Sequence, residues 1–375
     1  MFTHRLLFPI LYFFVVLIVL PIFTSDKVYS MFYQEDVAKN AEIDQMKLEF
    51  RKKGVEKYLK SIDERATLAY HEDKLSEPVD NLIIIFARKP KHDDLLLSQL
   101  AAEVDRNIRK ERFYRSAFFV CNVTRINFSE LELLSGIYPV RQAKNTTSWK
   151  LFNREEVIKH DFVECITHAL AETEAKHLTL IRDHVVPYSG FLQVLNRVIA
   201  TRLNNTISRG ELQQADSSWL FLHLQEPVPF RHYEFSLSCV YELFVISSIG
   251  GLLFFLVLWW VEDPRHQHLM SVRVTYIFYG ILYFFTFALI IGRPYVSELR
   301  RFAPDFYRLY DPPEPVHFSA MSLPAASAAE LVKHLNEVRC SVYVPFHRVL
   351  DHMVNTIELP GYVISPSLVK YVART

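Results

Sequence analysis

Three long apolar runs punctuate the chain. Leu6 to Phe23 carries no charged residue, while Leu243 to Val261 and Val274 to Ile291 stand close together, separated by the polar stretch Glu262 to Arg273. Each approaches the ~20 apolar residues a helix needs to cross a hydrocarbon core. The first follows His4 and Arg5, and no small-x-small pattern comes after it, so it reads as an uncleaved anchor rather than a signal peptide. The other two read as a transmembrane hairpin, because runs apolar on every side are rarely the core helices of a protein this size. Glu242, at the edge of the second run, raises the thought of a transport site. Three spans without internally paired charges make a poor transporter.

Between these runs the pattern changes period. From Gln34 to about Ala69 the chain is charge-rich, with apolar residues at broadly helical spacing, and reads as a solvated helical stem. Asn81 to Phe86 and Ala117 to Val123 are short apolar runs of the kind found in strands buried on both faces, and Leu95 to Arg112 between them suits a helix. Ile158, Phe162, Cys165, Ile166 and Leu170 recur every three or four residues, predicting a helix over 154–173 with Cys165 toward the core. Leu178 to Ile181 is a third strand, interrupted by Arg182-Asp183-His184 and resumed as Val185-Val186-Pro187; a helix over 191–203 and a strand over 219–224 follow. Strands alternating with helices predict an α/β sheet of the nucleotide-binding kind. After the hairpin, a helix from Ala325 to about Val338 and a strand at Tyr362 to Ile364 are too little to bury a core alone. The tail is therefore expected to dock onto the first α/β segment. The predicted organisation is a cytosolic tail 1–5, an anchor 6–23, a lumenal helical stem 24–78, an α/β segment 79–237, a hairpin 238–292 with cytosolic loop 262–273, and a second α/β segment 293–375.

Composition sharpens this picture in two ways. Half of the 375 residues are hydrophobic and 14% aromatic, in keeping with contact with membrane lipid, while 42 basic residues balance 42 acidic ones and leave no footprint for nucleic acid. Four glycosylation sequons, at Asn122, Asn127, Asn145 and Asn204, fall in the one large hydrophilic segment, which places that segment in the secretory lumen. The charge bias around the spans adds little: Arg5 and Arg273 agree with that orientation, and Lys27 and Arg293 do not help. Cys121, Cys165, Cys239 and Cys340 lack the paired short spacing of a zinc site and make at most one or two bridges; Cys121 has both Cys165 and Cys340 as possible partners.

The chemistry concentrates at one strand end. In α/β sheets, ligands bind in the crevice beyond the carboxyl ends of the strands. Asp183 follows such a strand, and Arg88 follows the first. A carboxylate at this place suits a divalent cation that bridges a sugar-diphosphate's phosphates, and a guanidinium suits the diphosphate itself.

The order of anchor, α/β domain, tandem transmembrane insertion and short C-terminal remnant resembles that of the post-GPI-attachment GalNAc transferases. The likeness runs from about Asn81 onward. It is carried by His160-Asp161-Phe162-Val163, by Leu180 through Pro187, by Trp219 through Leu224 with Pro227, by Val338-Arg339-Cys340, and by Pro366-Ser367-Leu368-Val369. The resemblance implies a GT-A-like domain interrupted by the hairpin, a UDP-sugar donor, and transfer of N-acetylgalactosamine to the mannose of a GPI anchor, on a GPI-anchored protein or glycolipid, in the Golgi membrane. It implies a catalytic role for Asp183, donor diphosphate binding by Arg182, Asp183 and Arg88, and a metal, Mn2+ or another divalent cation, on Asp183 and His184. Two departures stand out. The family has three consecutive acidic residues where this chain has Arg182-Asp183-His184, and a His where Lys370 and Tyr371 stand. Arg182 thus offers a metal-independent route to the diphosphate. The competing readings are a catalytically degenerate relative that binds GPI-linked proteins or glycans without turnover, and a structural membrane subunit. His347 and His352 near Asp351 read as a solvated helix face rather than a metal cluster.

Overall fold

The computed structural model describes residues 10–25, 30–32, 37–88, 95–124, 128–143, 153–203, 219–226, 237–261, 270–312, 319–357 and 359–371. They divide into two compact units, Met1–Asn40 with Pro227–Phe302, and Ala41–Glu226 with Ala303–Thr375.

The larger unit is a mixed α/β sandwich. Its strands are β1 (Val79–Ala87), β2 (Ser116–Asn122), β3 (Val140–Gln142), β4 (Ala175–Arg182), β5 (Val185–Pro187), β6 (Phe221–His223), β7 (Arg308–Tyr310), β8 (Ala320–Pro324), β9 (Gly361–Ser365) and β10 (Val369–Tyr371). Eight form one sheet in the order β3-β2-β1-β4-β8-β6-β9-β7. The half from β3 to β4 is parallel; β8 runs antiparallel to both β4 and β6, and β7 antiparallel to β9. The remaining two, β5 and β10, make a separate antiparallel ribbon.

Both faces of the sheet are covered, which is why β1 is apolar at successive positions rather than at alternate ones. Leu82, Ile84 and Phe86 point into one core layer, Ile83, Ile85 and Ala87 into the other. The first layer is closed by the helices Arg154–Glu172, Ala325–Glu337 and Phe346–Ile357, the second by Leu96–Lys110, Ser129–Ser135 and Phe191–Val198. Local signals fix several of these helices. Asn153 caps Arg154–Glu172 by accepting the Glu156 amide at 2.9 Å, and Leu96–Lys110 ends with Arg109 and Lys110, which suit its negative C-terminal pole. A disulfide between Cys121 on β2 and Cys165 on the covering helix staples sheet to helix, leaving Cys239 and Cys340 as thiols. Burial pushes the Cys340 thiol up to about 11.

The stem differs in part from the expected solvated helix. It forms Val37–Ser61 and Glu64–Leu75, the latter capped by Asp63, and the second helix buries Thr67, His71 and Leu75. His71 is completely buried and its Nε2 lies 3.1 Å from Asp105 Oδ1; Tyr58, Tyr138 and Arg109 also donate to the same carboxylate, at 2.9, 3.3 and 2.7 Å. The stem's polar residues thus face a buried acceptor on Leu96–Lys110, which periodicity alone does not reveal.

The smaller unit is mostly helical, with an apolar helix at Ile10–Thr24, a pair at Leu237–Val261 and Met270–Ile291, and a short helix Arg293–Ser297. Among the described residues, Cys239–Val257 alone is long and apolar enough to cross a membrane by itself; Ile277–Ile291 continues into Arg293–Phe302 through a 113° bend, and Ile10–Thr24 is shorter. The paired helices approach closely at glycines. A Cβ on Gly250 would stand 2.1 Å from the Phe284 ring, and one on Gly251 2.5 Å from Ile281. This small-residue seam is how apolar helices pack when no hydrophobic drive separates them from lipid. Glu242 corrects the expectation of unpaired charge: it is buried, with Arg300 Nη2 at 2.9 Å and Arg293 at 3.5 Å. A buried acid between two guanidiniums is a structural pairing, since removing either side would strand a charge.

Candidate active site

The carboxyl ends of β1, β2 and β4 open onto a crevice, as the parallel half of the sheet requires. It is a shallow, solvent-open hollow of ≈ 30 Å³ lined by Phe86 and Arg88 from the end of β1, Val123 beyond β2, Ile158, Asp161 and Phe162 from the covering helix, and Arg182 and Asp183 from the end of β4. Three candidates named from the sequence, Arg88, Arg182 and Asp183, therefore meet in one place. The register explains why: Phe86 on β1 lies beside Arg182 on β4, so the residues that follow leave the sheet side by side.

Charges of both signs line the crevice. Arg88 Nη2 stands 3.7 Å from Asp161 Oδ2, beyond hydrogen-bond distance, and the Arg88 side chain is about a third exposed, 35% against 8% for Asp161. The Arg182 backbone is fixed instead, its amide donating to the Ser319 carbonyl at 3.0 Å. His184 does not line the crevice. Its Nδ1 lies 3.5 Å from Asp183 Oδ1, and its ring stacks on Tyr371, centroids 5.5 Å apart and planes 18° from parallel. Tyr371 is brought there by the ribbon, where it pairs with Val185 and its hydroxyl reaches Ser319 Oγ at 3.1 Å.

A divalent cation can be tested against this donor set. Adjacent ligands on an octahedral cation with bonds of 2.0–2.1 Å stand about 3 Å apart, so Asp183 Oδ1 and His184 Nδ1 fit two corners of one ion with little movement. Among the described residues no group of three or more His, Cys, Asp or Glu side chains gathers to hold a metal. A cation held by this pair alone would have to complete its shell with substrate oxygens or water.

Sequence reading missed three contributors. Asp161 was visible only within a motif, and nothing marked it as a crevice residue. Glu130, on the short helix Ser129–Ser135, is buried and accepts the Ser98 amide at 2.7 Å. Burial pushes its carboxyl up, the Ser98 and Leu97 hydrogen bonds oppose that, and the Asp183 charge adds a further upward push. Tyr371 sits in a strand of three residues, too short for a periodic signal.

The sequon residue Asn122 has its side chain fully buried at the end of β2, with Oδ1 accepting from the Thr124 amide and hydroxyl. Asn127, Asn145 and Asn204 lie outside the described residues.

Fold and crevice together define an α/β protein with a charged crevice at the carboxyl ends of parallel strands. Over residues 81–370 the sequence matches the family GPI-N-acetylgalactosamine transferase PGAP4, and the chain belongs to that family. It is a glycosyltransferase, and a GPI glycan is the acceptor the family implies. The motifs quoted for the resemblance meet in space: Leu180 to Pro187 supplies the end of β4 and all of β5, and Pro366 to Val369 leads into β10, its partner in the ribbon.

Proposed function

We infer that the chain transfers N-acetylgalactosamine from UDP-GalNAc to the GPI-anchor glycan at the lumenal face of the Golgi membrane, using a GT-A-like domain held to the bilayer by three spans: the anchor within 6–23 and the hairpin within 238–292. The observation that carries this reading is the meeting of Arg88, Arg182 and Asp183 beyond the carboxyl ends of β1 and β4. The disulfide supports an oxidising compartment. The apolar helix pair supports the membrane placement.

In this mechanism, Arg88 and Arg182 bind the donor's diphosphate through charge-assisted hydrogen bonds and hold the sugar–phosphate bond at the strand ends. Asp161 positions Arg88 by ionic contact. Asp183 and His184 would hold the divalent cation, which when bound stabilises the leaving diphosphate as a Lewis acid. Tyr371 keeps the His184 ring in the plane from which its nitrogen faces Asp183. An acceptor tethered in the membrane never leaves the membrane surface, and spans built into the chain keep the enzyme at that surface too.

Calorimetric titration of the detergent-solubilised protein with UDP and UDP-GalNAc, with and without Mn2+, tests this reading in wild type and Asp183→Ala. Binding that needs Mn2+ and disappears in the variant supports the cation-assisted route; binding that ignores Mn2+ assigns the diphosphate to Arg88 and Arg182. No binding of either ligand under any condition overturns the donor assignment. Donor binding without transfer to a GPI acceptor reduces the chain to a binder.

A further inference from the structure

A second cleft lies in the same α/β unit, between the stem helix Val37–Ser61, the helix Leu96–Lys110 and the β5–β10 ribbon. It is open to solvent, has a volume of ≈ 450 Å³ and is lined by Arg51, Gly54, Glu103, Arg106, Tyr188 and Lys370 among others. Its size is that of a small-molecule or oligosaccharide site. Nothing in the donor chemistry above uses it.

Three features of its wall point to one kind of ligand. Three cationic side chains, Arg51, Arg106 and Lys370, face a single carboxylate, Glu103, which already pairs with Arg106 at 3.3 Å. The surplus positive charge suits an anion. Aromatic faces are present beside it: Lys370 Nζ stands 5.4 Å over the Tyr188 ring, and Phe50 is 81% exposed at the rim. Such faces carry the apolar sides of sugar rings. Finally, Gly54 interrupts the interior of a 25-residue helix, where glycine is a poor helix former, and a Cβ there would meet nothing within 4 Å. The glycine is not required by packing. It leaves open the space that a side chain would fill.

The cleft also has an address. The ribbon that sends Val186, Pro187 and Lys370 into its wall carries, at its other end, Tyr371 paired with Val185, next to His184 and Asp183. The same ribbon therefore forms part of the cleft wall and holds the ring of His184, the neighbour of Asp183.

We propose that this cleft binds the acceptor, a phosphate-bearing mannose glycan, with Arg51 and Lys370 taking the phosphate and Tyr188 packing against a sugar ring. The proposal rests on the transferase reading above for its reaction, and its binding claim can be tested separately.

The full-length solubilised protein is titrated with a soluble phosphorylated mannose oligosaccharide and with the same oligosaccharide after dephosphorylation, for wild type, Gly54→Trp and Arg51→Glu. In wild type the phosphorylated glycan binds at least tenfold more tightly than its dephosphorylated counterpart. Each variant weakens it at least tenfold while leaving the affinity for UDP-GalNAc unchanged. Should Gly54→Trp fail to fold, Arg51→Glu carries the test. Absent glycan binding by wild type, equal affinity for the two glycans, or variants that bind as wild type does each overturn the proposal. A failed donor assignment shows itself elsewhere, as absent UDP-GalNAc binding with the glycan titration intact.

Discussion

Two buried carboxylates, Asp105 and Asp183, sit in the same unit and live in opposite ways. Asp105 is saturated: His71, Arg109, Tyr58 and Tyr138 all approach it between 2.7 and 3.3 Å. Burial alone would raise its pKa, but the hydrogen bonds and charges of His71 and Arg109 win and hold the carboxyl below its ordinary range. Asp183 lies beyond a strand end on a solvent-open crevice, where Arg88 Nη2 stands 3.7 Å from Asp161 Oδ2 and the Arg88 side chain is about a third exposed. A network of buried partners fixes architecture, here clamping the stem to the sheet; charged side chains bordering solvent, like those around Asp183, are the ones a ligand would meet under the proposed function.

The comparison is broken or sharpened by substitutions on each side. The largest effect is expected at Asp183→Asn, a loss of about 10²–10³ in transfer rate of the kind seen when one electrostatic contact to developing charge is removed. Its thermal midpoint should match wild type; a large drop in the midpoint would make Asp183 a structural residue like Asp105. Next comes Asp105→Asn, which leaves Arg109 facing a neutral amide and should lower the unfolding free energy by about 3 kcal/mol in a denaturant titration. Donor affinity per folded molecule should stay unchanged, and a selective loss of donor binding would erase the distinction drawn here. Arg88→Met should weaken UDP-GalNAc by about tenfold, as loss of one charge-assisted contact does, with little change in stability.

The smallest effect is a slope with pH. Burial lowers the pKa of His71 below 6.5, against the opposing pull of Asp105, with Arg109 and Lys74 adding to the lowering. A depressed folded pKa means that the unfolded chain binds the proton more readily. The stability from neutral His71 is therefore full above pH 6.5 and is lost as pH falls through the folded value. Denaturant midpoints should decline on acidification below pH 6.5 in wild type, and His71→Gln, which can still donate to Asp105, should flatten that decline. An unchanged slope in the variant would put the titrating group elsewhere.

What the sequence reveals and what it hides follow one physical line. β1, β2 and β4 are legible because strands covered on both faces must be apolar throughout, as Leu82 to Ile85 are, and the helix over 154–173 is legible because Phe162, Cys165 and Ile166 repeat at helical spacing. β8 escapes notice. Ala320 to Pro324 has few bulky residues and ends in proline, and it is a strand because β4 and β6 satisfy its backbone from both sides. The site divides likewise. Arg88, Arg182 and Asp183 announce themselves by standing just past strand ends. Asp161 reaches the crevice by helix packing, while Glu130 takes its place behind it by binding the Ser98 amide, and Tyr371 meets His184 through a pairing with Val185, contacts that no local pattern encodes. The clamp on Asp105 is hidden for the same reason, since Tyr58 reads as one of the apolar positions of the stem and nothing local marks His71 until their shared acceptor is placed beside them.

The position of β8 has a consequence for how the protein is made. It lies in the middle of the sheet, between β4 and β6, yet it emerges from the ribosome only after both of them and after the helix pair. Until then the early strands wait with an open seam, where Leu180 will find Met321 and Leu222 will find Ser322. Pairings this distant along the chain are slow to form and leave edges exposed while they do. The nascent sheet therefore depends on delivery of its keystone strand, and a synthesis pause at the apolar hairpin lengthens the interval in which chaperones must guard it.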